Sequence, residues 1–128
     1  MSATYKIRVD RERRLFSLTL TGFFEVNEVA ALLEDVRAAV ASFPQANQHV
    51  TLCDVSECKL QPQEVIGAFQ AHLSDARFRS RRLAFVTGAS LARMQVRRLL
   101  ERGHARCFDT VAEAEAWLSM SEDARRAA

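Results

Sequence analysis

A chain of 128 residues has the size of one domain and can enclose one real core. Its 48% apolar and 27% charged residues are ordinary for a soluble globular protein, and a net charge of +2 is too mild to imply nucleic acid. No apolar run nears the ~20 residues of a membrane span, and Met1 to Asp10 lack the apolar stretch of a secretory signal, so the three cysteines are expected to be free thiols in the cytoplasm.

Tyr5, Ile7 and Val9 alternate with Lys6, Arg8 and Asp10, and Phe16, Leu18 and Leu20 alternate with Ser17, Thr19 and Thr21. Two runs of period 2 joined by a charged stretch predict an antiparallel hairpin with one buried face, ended by Gly22. Val29, Leu32, Leu33, Val36, Ala39, Val40 and Phe43 then recur at three and four, which predicts an amphipathic helix capped by Asn27 and stopped by Pro44. Val50 to Val55 read as a third strand. Pro62, Gln63 and Glu64 suit the start of a second helix with Val65, Ile66, Phe69 and Leu73 on its inner stripe.

Leu83-Ala84-Phe85-Val86 is apolar on both faces, which predicts a central strand covered on each side. Thr87 to Ala89 turn the chain, Ser90 can cap a third helix and Gly103 can end it. Ala105 to Phe108 form a short last strand. Thr110 and Glu113 form a capping box for the last helix, whose Val111, Ala114, Trp117 and Leu118 face inward. The order ββαβαβαβα predicts an α/β domain over 4–118, with a mostly parallel five-stranded sheet, an N-terminal antiparallel hairpin and about four helices. A flexible tail is expected over 119–128.

Several segments in this order resemble the SpoIIAA-like family of the STAS superfamily, whose fold is related to that of Sec14-type lipid-binding domains. They are the hairpin with Leu18-Thr19-Leu20-Thr21-Gly22, the long helix after it, Leu52-Cys53-Asp54-Val55-Ser56, Arg82 to Val86, Cys107-Phe108-Asp109 and Ala114 to Leu118. The resemblance implies a regulatory or protein-interaction role. STAS anti-sigma-factor antagonists carry an Asp-Ser-Ser-Gly-type phosphoacceptor turn. Here the comparable strand exit reads Asp54-Val55-Ser56-Glu57-Cys58, so the phosphorylation switch does not carry over.

Two surfaces are candidates for function. Ligands of open α/β sheets favour the crevice beyond the carboxyl ends of the strands. That rim would hold Asp54, Ser56, Thr87, Gly88 and Ser90, with Arg93 to add charge for an anion; the plainer reading is that Ser90 caps its helix and Asp54 braces a loop. The second surface is the third helix, where Leu91 and Met94 fall opposite the core stripe among Arg97, Arg98 and Arg102. Exposed apolar residues ringed by arginine suit a protein partner or self-association, whereas isolated exposed apolar residues are also ordinary. The wider span from Arg77 to Arg106 reads as a solvated face rather than a nucleic-acid site, because no recognition motif accompanies it.

No metal, cofactor or catalytic set is expected. His49, His72 and His104 sit on different elements, no serine or cysteine has a base at telling spacing, and Cys53 and Cys58 lack zinc-site spacing. The leading expectation is a non-enzymatic regulatory or interaction module. The alternative is a carrier of a small apolar ligand or lipid, which needs a cavity that Phe16, Leu33, Phe69, Phe85 and Trp117 are expected to fill.

Overall fold

The computed structural model describes residues 3–88, 95–97 and 105–120. β1 (Thr4–Asp10) and β2 (Leu15–Gly22) form the hairpin, with Ile7 opposite Leu18 and Val9 opposite Phe16. The turn closes with Arg14 in the left-handed region at φ 52° and with Arg13 N–H donating to the Asp10 carboxylate. α1 (Val26–Ala41) then carries the chain over the sheet to β3 (Val50–Cys58), which pairs parallel to β2. α2 (Gln63–Leu73) and a 3-10 turn (Ala76–Phe78) lead to β4 (Arg82–Val86), and β5 (Ala105–Phe108) precedes α3 (Val111–Ser119). Gln95 to Arg97 are helical. Strand order is β1-β2-β3-β4-β5, parallel from β2 onward.

The expected fold is therefore the observed one, with corrections at the edges. α1 is capped by Glu25 instead of Asn27. The Glu25 side chain accepts from the backbone of Glu28, whose own carboxylate accepts from Glu25 N–H, a reciprocal box that satisfies two amides at once. β3 continues three residues past Val55, because the exit of β2 stays paired with it through Thr21 and Glu57. The middle strand is β3. β4 lies between β3 and β5 and is buried along its whole length, so its apolar run reflects two covered faces.

The sheet separates two cores. Phe16, Leu18, Leu20, Cys53, Val55, Leu83 and Phe85 face Val29, Leu32, Leu33, Val36 and Val65 of α1 and α2. Leu15, Val50, Leu52, Ala84 and Val86 face Ala114, Trp117 and Leu118 of α3. Trp117 thus packs on the opposite side of the sheet from the other aromatic residues expected to fill the interior. Arg82, only 1% exposed, projects toward α3 and donates from Nη1 to the Leu118 carbonyl at 2.8 Å, where a cation meets the negative end of the helix.

Candidate functional site

The carboxyl-end rim is partly assembled. A bulge between Thr19 and Thr21 sets three steps of β3 against two of β2, and such bulges re-aim side chains at a sheet end. Within it, Asp54 Oδ1 accepts from Ser56 N–H at 3.0 Å and from Ser56 Oγ at 2.7 Å. Thr87 is buried and donates its N–H to the Phe108 carbonyl. Gly88 has φ +56°, and a Cβ there would lie 3.7 Å from Cβ of Ser56. The sheet therefore gathers Asp54, Ser56, Thr87 and Gly88 at one end. Ser90 and Arg93 lie outside the described residues, as do Leu91, Met94, Arg98 and Arg102 of the expected partner surface. Arg97 is described and exposed.

A different feature dominates the α1/α2 face. Between these helices and the sheet is a partly open cavity of about 110 Å³. Its wall is mainly apolar and includes Phe16, Leu33, Val55, Phe69, Phe85 and Val96. Four of the five side chains expected to fill the interior border or approach this space without closing it: Phe16, Leu33, Phe69 and Phe85 all line it. At one end lies Gln61, which joins three elements. Its side chain accepts from Phe24 N–H and donates to the Gly22 and Lys59 carbonyls. Its backbone exchanges two hydrogen bonds, of 2.8 and 2.9 Å, with the side chain of Gln95.

The other end, at the amino ends of β3 and β4, is polar. Thr51, His72, Arg79 and Ser80 line it. Behind them His49 is 1% exposed, stacked on Phe43 at 5.1 Å between ring centroids. Ser80 Oγ stands 3.1 Å from His49 Nε2 and also hydrogen-bonds Thr51 Oγ1. The sequence places His49 in a loop 31 residues from Ser80, so nothing in its spacing reveals this contact. A histidine beside a serine invites comparison with a nucleophile and its base. Here, however, His49 Nδ1 is buried with no hydrogen-bond partner among the described residues. A buried orphan lone pair is tolerated better than a buried orphan N–H, which places the ring proton on Nε2. The imidazole then donates to Ser80 and is no base for it.

Burial holds both His49 and His72 below the ordinary imidazole range, with Arg37 adding to the effect at His72. Burial raises the Cys53 thiol and, with Asp54 contributing, pushes Cys58 up to about 12; both line the cavity as inert apolar groups. Among the described residues no cluster of three or more His, Cys, Asp or Glu side chains is placed to hold a metal, and no helix is long and apolar enough to cross a membrane.

An antiparallel hairpin leading into a parallel sheet, with α1 and α2 on one face and α3 on the other, is a SpoIIAA-like fold. Solved structures share it, two of them as follows. An uncharacterised protein of the DUF3478 family with a SpoIIAA-like fold, from Shewanella loihica PV-4, superposes with a TM-score of 0.72 at 15% identity over 92% of this chain and 96% of its own. The anti-sigma factor antagonist SpoIIAA in its unphosphorylated form gives 0.58 at 12% identity, over 98% of this chain and 100% of its own. No family model and no curated protein sequence matches the chain.

Proposed function

We propose that this chain is a non-enzymatic binding module of SpoIIAA-like fold that takes a small, mainly apolar ligand between its sheet and α1/α2. The observation that carries this reading is the cavity of about 110 Å³ among Phe16, Phe69, Phe85 and Val96. Well-packed interiors leave few voids larger than a water molecule, and ligand sites are typically apolar clefts with a few convergent polar groups. Native mass spectrometry of freshly purified protein tests it. A co-purifying small molecule, or uptake of an added apolar probe, supports the reading; bare polypeptide that takes up no probe refutes it.

A second reading, a regulatory module that docks on another protein or on its own copy, is favoured by the end-to-end correspondence with an anti-sigma factor antagonist. Its surface would be Leu91, Met94, Arg97, Arg98 and Arg102. Light scattering behind size exclusion on wild type and Met94→Glu tests the self-association form, which identical monomeric profiles would exclude. The three free cysteines suit the reducing cytoplasm for either reading.

A further inference from the structure

Four phenylalanines that border the cavity, Phe16, Phe24, Phe69 and Phe85, come from four places in the fold: β2, the junction of β2 with α1, α2 and β4. None of them stacks on another aromatic ring among the described residues. The ring pairs found there join Phe43 to His49, His72 to Phe78 and Phe108 to Trp117. Two aromatic rings set offset or edge to face gain about two- to tenfold in affinity beyond what their buried area supplies. Four rings that border one space without pairing leave that contact unmade. A flat ring between them can meet more than one of the four, and a saturated chain or ring gains nothing of this kind. Cys53 and Cys58 stand in the same wall, and polarizable sulfur also suits the edge of a ring.

The polar groups of the wall call for no partner. Thr51 and Ser80 hydrogen-bond each other, and Ser80 also meets His49. The Gln61 side chain is bonded at both its oxygen and its nitrogen, as is that of Gln95. His72 Nδ1 has no hydrogen-bond partner among the described residues. It is buried from solvent, so it does not face a space wide enough for water. Lys59 and Arg79 are exposed and keep their charged ends in water. A hydroxyl or carboxylate on the guest would therefore lose its water with nothing to receive it. The volume sets the size. An engineered apolar cavity of about 150 Å³ takes benzene, so about 110 Å³ behind a partly open mouth suits one ring and not two.

We infer that the ligand is an uncharged single aromatic ring without a hydrogen-bonding group, held among Phe16, Phe24, Phe69 and Phe85. This rests on the cavity being a ligand site at all, and the test separates the two ideas. Benzene, cyclohexane and phenol are titrated in turn into the isotopically labelled full chain and followed by amide chemical shifts. Each dissociation constant for benzene and cyclohexane is referred to the compound's own transfer from water to alkane. On that scale benzene should bind at least about threefold more tightly than cyclohexane. It should also bind at least about fivefold more tightly than phenol in direct comparison, because the hydroxyl is left unpaired. Phe69→Leu, at a half-buried position that spares the fold, and Phe85→Leu should each lower the preference for benzene over cyclohexane by about twofold or more. A preference that is absent, or that both variants leave unchanged, would overturn the aromatic assignment. Phenol binding as tightly as benzene would overturn the absence of a polar group, and in both cases the apolar site stands. Shifts from none of the three compounds at cavity residues would overturn the ligand class and the site together.

Discussion

Filling the cavity and overpacking a closed core have opposite signs, which makes Ile66→Phe a decisive substitution. Ile66 is half-buried on α2 and its side chain lines the cavity. An internal void costs about 24 cal/mol per Å³, so 110 Å³ left empty costs up to about 2.6 kcal/mol, less where the mouth admits water. A larger side chain occupies part of that volume, and cavity-filling substitutions of this kind commonly return about 0.5–2 kcal/mol. We expect the lower half of that range, since one ring fills only part of the space. If the interior were already closed, the same change would force neighbours off their rotamers and cost about 1–3 kcal/mol. Urea unfolding at pH 7.5 measures the difference, with the denaturant slope checked for constancy. A loss of more than about 1 kcal/mol at unchanged slope would show that the reasoning about empty space is wrong. An added apolar probe that binds should also raise the urea midpoint of the wild type and fail to raise that of Ile66→Phe.

Three further outcomes follow from the polar end and the thiols. Ser80→Ala removes the group between His49 Nε2 and Thr51 Oγ1 and should cost about 1–3 kcal/mol in urea unfolding, because two buried partners lose their contact; a cost within error of zero would mean a water serves as well. His49 and His72 are held neutral in the fold, so below about pH 6.5 the unfolded chain binds more protons than the folded one. Stability from these rings is whole above that pH and is lost as the pH drops toward and through the folded-state values, at up to about 1.4 kcal/mol per pH unit per histidine; a urea midpoint that rises between pH 6.5 and 5.5 would contradict this. Cys58, its thiol raised to about 12, should react with iodoacetamide about a thousandfold more slowly in the native chain than in urea at neutral pH, and peptide mass mapping that finds similar rates would refute its burial.

Much of this architecture was legible because each element is written by local periodicity. The alternation of Phe16, Leu18 and Leu20 puts all three on one face, and the three-and-four spacing from Val29 to Val40 marks the buried side of α1. The rim was legible in part, since Asp54 and Ser56 lie in the second half of one parallel strand and Thr87 and Gly88 follow its neighbour. The cavity was not. A stripe of Phe and Leu has the same pattern whether or not the side chains meet, because a void depends on helix placement rather than on spacing. The polar end was hidden for another reason: His49, Thr51 and Ser80 meet only through the register of β3 with β4, in which Val50 pairs with Arg82. One signal did point there: Thr51 interrupts a run of apolar strand residues.

The partition of the interior by the sheet has a practical consequence for anyone assaying this protein. The sole tryptophan, Trp117, is tucked under α3 beside Phe108, screened from the cavity by the whole thickness of the backbone layer. Its intrinsic fluorescence should track global denaturation faithfully and stay silent when a guest occupies the far compartment, so a flat emission titration is no sign that nothing has bound.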